Sequence, residues 1–201
     1  MAAPRLRGVE EHDLGLSWVV EEAMERASHA LADAGRVWLV DPVDAPEATE
    51  RAVALGRPAA VLQLLDRHPR DCAALAERLG VPHLRLPPAV PESPFEVLKV
   101  VDVPKWREVA LWWPGRRALV VAEPVGSGPF YVPGATGAGI HPFLRLRPPG
   151  TPRRFGPEHL LFGHGPPLHG EGARTGLEEA YHRSRRDIVP MLVKVPRLVR
   201  R

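Results

Sequence analysis

LLDRHPRDCAALAERLGVPHLRLP, Leu64 to Pro87, is the stretch that decides the fold class. It begins at the end of a continuous apolar run, Ala59 to Leu65, which is typical of a strand buried on both faces. Asp71 to Leu79 has the pattern of a helix with one apolar side, and Gly80 suits the left-handed residue that ends a helix. Val81 to Leu86 is a second short strand. This order of strand, loop, helix and strand indicates an α/β type of chain.

The loop between the first strand and the helix carries polar side chains that could perform chemistry. Asp66, His68, Arg70 and Asp71 follow the buried strand within a few residues. In α/β folds, ligands collect where the carboxyl ends of strands face the N-termini of helices. The structural alternative is that Asp71 caps the helix while Asp66 pairs with Arg67 or Arg70.

Further elements lie on both sides of this stretch. Trp18 to Ala34 is open between two interpretations. Its Ala, Glu and Met residues favour a helix, whereas a hairpin would place a strand at Arg26 to Leu31, a turn at Ala32 to Gly35 and a returning strand from Arg36. The other predicted elements are a strand at Gly35 to Pro42, a helix at Pro46 to Leu55, strands at Phe95 to Val103, Glu108 to Trp113 and Ala118 to Ala122, loops from Pro124 to Pro157, a strand at His159 to Phe162 and a helix at Leu177 to Val189, ended by Pro190.

Composition limits the class of protein. The chain has 201 residues, 44% of them apolar and 25% charged, which fits one globular domain over 1–201. Cys72 is the single cysteine, which excludes an internal disulfide and a multi-cysteine zinc site. No apolar run approaches the ~20 residues of a transmembrane helix, and the first residues lack the apolar segment of a signal peptide. We therefore expect a cytoplasmic protein without a membrane partner.

Positive charge is concentrated toward the C-terminus. From Arg145 onward there are 12 Lys and Arg against 5 Asp and Glu, whereas the net charge of the chain is +3. A basic helix and tail over 174–201 could meet nucleic acid or an acidic partner, although a solvated arginine-rich surface is the simpler interpretation. A nucleic-acid role ranks last, because the segment lacks interleaved aromatic residues and any recognition motif.

Four segments together resemble the metallo-β-lactamase superfamily, in the family's order along the chain. VWLVDP (Val37 to Pro42) resembles its early strand ending in Asp-Pro, and the loop and helix described above resemble its T-H-x-H-x-D-H loop. RRALVVAEP (Arg116 to Pro124) resembles the strand that ends in the metal-bridging Asp, and LLFGHGPP (Leu160 to Pro167) resembles the late Gly-His-Gly turn. The resemblance implies a four-layer αββα sandwich with mixed sheets, of the α+β class, and it favours the hairpin for Trp18 to Ala34.

Most of the family's metal ligands are replaced in this sequence. Two histidines stand unchanged at ligand positions, one in the early loop and one in the late turn. The carry-over places Asp66 at the first His of the loop, His68 at the second, Arg70 at the Asp, Asp71 at the last His, Trp106 at the third ligand of the first metal, Glu123 at the bridging Asp and His164 at the late His.

The leading hypothesis is that the family's two-metal site is lost. A guanidinium is permanently positive and has no lone pair to donate, so Arg70 would repel a metal ion. We expect Arg70 to occupy the second-metal position and to pair with Glu123 and with Asp66 or Asp71. This predicts a metal-free, non-catalytic cleft, formed by these residues with His68, Trp106 and His164, that holds a small anionic ligand or a protein partner.

The alternative hypothesis keeps one metal ion. Asp66, His68, Glu123 and His164 would hold a single zinc, iron or manganese ion. Asp71 would serve as the base in hydrolysis of an ester, thioester or phosphoester. This alternative requires Arg70 to turn outward.

Overall fold

The computed structural model describes residues 3–132 and 136–188, and its first sheet has six strands. They follow the order β1-β2-β3-β4-β5-β6, in which β1 to β4 pair antiparallel and β5 and β6 continue in parallel. The parallel half is the strand, helix and strand unit that the opening stretch predicts. The strands are β1 (Leu6–His12), β2 (Gly15–Val20), β3 (Ala27–Asp33), β4 (Arg36–Val40), β5 (Arg57–Gln63) and β6 (His83–Arg85).

A second mixed sheet faces the first. Its members are β7 (Glu96–Val103), β8 (Trp106–Trp113), β9 (Ala118–Val121), β12 (His159–Phe162) and β13 (Leu168–His169), and a small separate pair is formed by β10 (Val125–Gly126) and β11 (Gly139–Ile140). The order is β13-β12-β9-β8-β7. Only the pairing of β12 with β9 is parallel among the strand pairs described in this sheet, so these two neighbours end at the same edge.

Helices cover the outer face of each sheet. The apolar sides of α1 (Pro46–Ala54) and α2 (Cys72–Leu79) pack on the first sheet, and α3 (Glu171–Arg183) packs on the second. Between the sheets lies an apolar layer in which Phe95 contacts Trp38 and Trp113 edge-on, at 5.2 and 5.4 Å between ring centroids. The layers are therefore helix, sheet, sheet and helix, which confirms the predicted αββα sandwich.

The segment from Trp18 to Ala34 adopts the hairpin arrangement rather than the helix. β3 and β4 are joined by a tight turn in which Ala34 and Gly35 have φ angles of 47° and 74°. Two successive residues of positive φ are typical of the turns that match the twist of a hairpin. Burial of Trp18 and Leu31 in the strands outweighs the weak helical preference of the Ala and Glu residues.

The prediction for the last helix is wrong in its bounds. α3 begins at Glu171, six residues before the predicted start at Leu177, and ends at Arg183. Two glycines in its first turns obscured the helical pattern, but Gly176 is useful there because an added Cβ would lie 3.0 Å from a methyl of Leu168. The predicted basic helix and tail cover 174–201, and residues 189–201, with the predicted helix end at Pro190, lie outside the described residues. The expectation of one domain stays a prediction.

A chain of polar contacts links the sheets at one edge of the sandwich. His29 Nε2 lies 2.7 Å from the carbonyl oxygen of Phe162, which can only accept, so the ring proton is on Nε2. His29 Nδ1 then accepts from Ser17 Oγ at 2.7 Å, and Ser17 accepts from His12 Nε2 at 2.8 Å. Burial lowers the pKa of His29 to about 3 and that of His12 to about 4.

No helix among the described residues is long and apolar enough to cross a membrane.

The buried His29 makes folding sensitive to acid. Its pKa of about 3 lies below the value of about 6.5 expected in the unfolded chain, so between these values only the unfolded chain binds the proton. Stability is therefore lost as the pH falls from about 6.5, at up to about 1.4 kcal/mol per pH unit for this group. We therefore expect the free energy of unfolding of His29→Gln to fall by up to about 1.4 kcal/mol less per pH unit than that of the wild type. Urea unfolding at pH 6.5, 5.5 and 4.5 measures this difference. The exposed His182→Gln should follow the wild type, and equal slopes for His29→Gln and wild type would contradict the prediction.

Candidate metal centre

Three strand ends deliver the side chains of the site. Glu123 and His164 each lie two residues beyond the neighbouring parallel strands β9 and β12. His68 comes from the turn after β5 in the opposite sheet. The strand ends can approach closely because Gly163 has no side chain: an added Cβ would lie 2.3 Å from the carbonyl oxygen of Ala122 and 3.1 Å from the His68 ring.

One atom from each of the three side chains points to a common centre. His68 Nε2 lies 3.3 Å from His164 Nε2 and 3.3 Å from Glu123 Oε1, and the separation of His164 Nε2 from Glu123 Oε1 is 3.9 Å. All three side chains are largely withdrawn from solvent. Within the described parts of the chain this is the only set of three His, Cys, Asp or Glu ligand atoms that lie within 4.8 Å of one another.

The outer nitrogens of both histidines are fixed by hydrogen bonds. His164 Nδ1 donates to the carbonyl oxygen of Met24 at 2.8 Å, and His68 Nδ1 lies 3.2 Å from Asp41 Oδ2. Both partners are acceptors, so a proton occupies each Nδ1. The Nε2 of His164 then presents a lone pair to the centre, and the Nε2 of His68, which also faces a carboxylate oxygen, presents one when this ring is neutral. Burial, together with the charges of Arg70 and His68, lowers the pKa of His164 to about 3 and keeps this ring neutral.

Asp41 is a site residue to which the sequence analysis assigned no role. Its Oδ1 accepts from the backbone N–H of Leu64 at 2.9 Å, while Oδ2 orients His68. A carboxylate that holds the outer nitrogen of a histidine is a common second partner in metal centres. The signal for it is the Asp-Pro that ends VWLVDP, one of the four segments that carry the family resemblance.

Glu123 divides its two oxygens between the histidines and an arginine. Oε1 faces His68 and His164, whereas Oε2 forms an ion pair with Arg67. The Arg67 guanidinium lies over the ring of Trp106, 4.2 Å from its centroid. Burial alone would raise the pKa of Glu123, but in the metal-free protein a protonated His68, together with the charge of Arg67, lowers it to about 2.

Glu108 is a buried carboxyl beneath Glu123 that the sequence analysis missed. Its Oε1 accepts from the backbone N–H groups of Ala122 at 2.9 Å and of Glu123 at 3.2 Å, and Trp106 Nε1 donates to Oε2 at 3.4 Å. Burial raises the pKa of Glu108 to about 8 despite these donors. Its place in a strand, between Arg107 and Val109, gave no signal of a role near the site.

Arg70 lies beside the three ligand atoms, but its contacts differ from the prediction. The guanidinium donates to the carbonyl oxygens of Ala27 at 2.5 Å, Asp41 at 2.6 Å and Gly163 at 2.8 Å. The predicted ion pairs of Arg70 with Glu123 and with Asp66 or Asp71 are absent from the described residues. Backbone carbonyls take their place because the side chain is enclosed by three strand ends, and burial lowers the pKa of Arg70.

The two loop aspartates do not join the ligand atoms. Asp66 Oδ2 accepts from the backbone N–H of Arg107 at 3.0 Å, which ties the loop to the start of β8. Asp71 Oδ2 accepts from the backbone N–H of Asp44 at 2.8 Å and makes no capping bond to α2. The structural alternative for these two residues is therefore wrong in its partners, and the carboxylate of Asp71 is already engaged away from the centre.

The three ligand atoms lie in an open cleft of about 570 Å³. Trp106 is buried behind the cleft, where its ring meets His141 edge-on at 4.9 Å. Three arginines and two glutamates give the cleft walls their charge. The lining residues are Glu22, Ala23, Met24, Arg26, Arg67, His68, Pro69, Arg70, Glu123 and His164.

Comparison with solved structures identifies the fold. The crystal structure of DIM-1 metallo-beta-lactamase matches with a TM-score of 0.55 and 13% identity, over 91% of this chain and 98% of that chain. TMB-1 has a TM-score of 0.53 and 13% identity with the same coverage, and VMB-1 has 0.53 and 9%, again over 91% and 98%. The sequence matches no protein-family model, and no curated protein matches it. The chain therefore has a metallo-β-lactamase-like fold, as the resemblance predicted; at this identity the likeness concerns the fold alone.

The contacts of Arg70 predict a large loss of stability when its side chain is removed. Arg70→Met would remove three hydrogen bonds from a charged donor, each of which contributes about 1.5–3 kcal/mol, although the carbonyl oxygens of Gly163 and Asp41 would still accept from Ala27 N–H and Ser28 Oγ. We expect the free energy of unfolding to fall by about 3 kcal/mol or more, and by less for Arg70→Lys, which keeps the charge. Urea unfolding of chelator-treated protein measures this contribution without any effect of metal.

Arg78→Met is the matched control for this substitution. Arg78 lies on α2 and pairs with Asp44 at the surface, where an ion pair contributes about 1 kcal/mol or less. An Arg70→Met variant as stable as Arg78→Met would show that the three carbonyl contacts do not hold the strand ends together.

Proposed function

We propose that the chain holds one divalent metal ion between His68, Glu123 and His164, in a centre suited to hydrolysis. The observation that carries the proposal is the convergence of two imidazole lone pairs and one carboxylate oxygen on a single point. These groups repel one another unless a cation lies between them. Two nitrogens that each lie 2.0–2.1 Å from a tetrahedral zinc are about 3.3–3.4 Å apart, and the His68 and His164 nitrogens are 3.3 Å apart.

Arg70 argues for one ion rather than two. The resemblance carries Arg70 onto the position of an aspartate ligand, and its permanent charge lies close to the centre without donating a lone pair. Trp106, carried onto a histidine ligand, is likewise unable to bind a metal. Arg70 does not need to turn outward, as the alternative hypothesis required, because its charge is directed to carbonyl oxygens beside the ligand set.

Three protein ligands with an open cleft are typical of catalytic rather than structural metal sites. A zinc, iron or manganese ion would supply Lewis acidity for the attack of water on an ester, thioester or phosphoester. Asp41 and the carbonyl of Met24 hold the imidazoles in the ligand tautomer, and Arg26 and Arg67 present positive charge to an anionic substrate at the cleft wall. The role of base has no support at Asp71, whose carboxylate is bound to Asp44.

A metal-free cleft that binds a small anion or a protein partner is the second candidate. It is favoured by the excess of positive charge, since three arginines face two glutamates and one of these, Glu22, is already paired with Arg26. In this case His68 would be protonated, and its two ring N–H groups would donate to Asp41 and to Glu123 in place of the ion. Metal content separates the two candidates.

The proposal predicts one tightly bound ion per chain. The protein would be purified without a metal-affinity tag, analysed for metal, chelated and then titrated with zinc, manganese and ferrous iron. At a free metal concentration of about 100 times Kd, binding should add about 2.7 kcal/mol to the stability of the folded state. For a chain of this size the melting temperature should then rise by about 5–10 °C.

Ligand variants test which side chains are responsible. His68→Ala and His164→Ala should each weaken metal binding at least about 100-fold, because a single missing ligand leaves only two. The exposed His182→Ala should bind as the wild type does. Absence of binding in the wild type at millimolar metal would refute the proposal, and two ions per chain would contradict the assignment of Arg70.

Activity can be tested with a small panel of chromogenic esters, thioesters and phosphoesters. Hydrolysis should require the reconstituted protein and should be lost on chelation and in His164→Ala. If a fully metal-loaded protein hydrolyses none of the three bond types, the hydrolytic part of the proposal fails while the metal site stands.

A further inference from the structure

The position of Trp106 has a consequence beyond the loss of a metal ligand. Its indole Nε1 donates to Glu108 Oε2 at 3.4 Å, and its ring face carries the guanidinium of Arg67 at 4.2 Å. Glu108 in turn accepts from the backbone N–H of Glu123, and Arg67 pairs with the Glu123 carboxylate. The contacts therefore form a closed cycle of four residues: Trp106, Glu108, Glu123 and Arg67. We call them the tryptophan ring of contacts.

We infer that the tryptophan ring of contacts is a positioning device that holds Glu123 as a one-oxygen metal ligand and thereby sets the affinity and geometry of the site. Arg67, Trp106 and Glu108 act through Glu123 and do not touch the ion. This inference rests on the proposed metal site and names the residues that regulate it.

Both ends of Glu123 are fixed by these contacts. Its backbone N–H is held by Glu108, its carbonyl oxygen accepts from Tyr131 Oη at 3.2 Å, and its Oε2 is held by Arg67. A glutamate side chain loses considerable rotamer freedom when it is ordered, and here that loss occurs before any ion binds. The free oxygen, Oε1, is therefore already directed at His68 and His164.

The tryptophan ring of contacts also determines how many oxygens Glu123 can offer to a metal ion. With Oε2 paired to Arg67, the carboxylate has one oxygen, Oε1, with which it would hold an ion. A glutamate released from Arg67 could turn both oxygens toward the ion. Because Glu123 stands one methylene longer than the family's aspartate, it has the freedom to do so, and a fixed partner is needed to prevent it.

Charge must be held constant in the experiment, because removing the Arg67 cation would by itself strengthen the binding of another cation. The variants are Arg67→Lys, which keeps the charge but loses the planar contact with the ring, Trp106→Leu, which removes ring face and donor, and Trp106→Phe, which keeps a ring face. The control is Trp112→Leu on the same strand, since Trp112 contacts Phe155 instead.

Zinc affinity and the visible spectrum of the cobalt-substituted protein are the two measurements. We expect Arg67→Lys and Trp106→Leu to weaken zinc binding about 10- to 100-fold, the range for lost outer partners of metal ligands. At saturating cobalt both should show an altered d–d spectrum, which a merely structural role would not change. Trp106→Phe should recover most of the affinity, and Trp112→Leu should match the wild type.

The outcomes separate this inference from the metal site itself. If the wild type binds an ion and Arg67→Lys and Trp106→Leu bind it with the same affinity and spectrum, the positioning role is overturned while the metal site stands. If the wild type binds no ion, both fail. Arg67 is partly exposed, so Arg67→Lys keeps the test decisive even if Trp106→Leu does not fold.

Discussion

The guanidinium of Arg70 is the contact on which the geometry of the site depends. It joins the start of β3, the end of β4 and the end of β12 through three backbone carbonyls, and so connects the two sheets at the edge that carries the site. Two of these carbonyls belong to Asp41, which orients His68, and to Gly163, which precedes His164. A buried cation in this position is stable only because carbonyl dipoles replace its hydration, and those same dipoles fix the backbone from which both imidazoles project.

Charge balance explains why the centre suits a single ion. Asp41 and Glu123 bring two negative charges close to the ligand atoms, and Arg67 and Arg70 bring two positive charges. Each cation is directed away from the centre, Arg67 toward Glu123 Oε2 and Arg70 toward carbonyl oxygens. The lone pairs at the centre are therefore left without a positive partner, even though the surroundings are close to neutral. Under the proposal, one divalent ion would satisfy them, whereas a second would meet the guanidinium of Arg70.

The sequence predicted the layers of the fold better than the contacts of the site. The apolar run before Asp66, the loop and the helix defined a strand and helix unit, and the order of four segments identified the sandwich. The family resemblance also placed His68, Glu123 and His164 at metal-ligand positions. Partners were not visible: whether Arg70 meets carboxylates or carbonyls depends on which strand ends enclose it, and that is decided by tertiary packing. Glu108 was missed for the same reason, since its carboxyl accepts from backbone N–H groups that follow the neighbouring strand β9.

Two replacements in this fold are linked by the contacts that they create. Arg70 and Trp106 both stand where the family resemblance expects metal ligands, and neither leaves a gap. Arg70 fixes the backbone behind the two histidines, and Trp106 supports the arginine that holds Glu123. Each of these two side chains therefore supports a group that faces the centre. The outer nitrogen of each histidine and the second oxygen of the glutamate are all engaged, while Arg70 Nε and Asp66 Oδ1 are buried without a partner among the described residues. The three groups that face the centre are therefore held in place through their outer atoms.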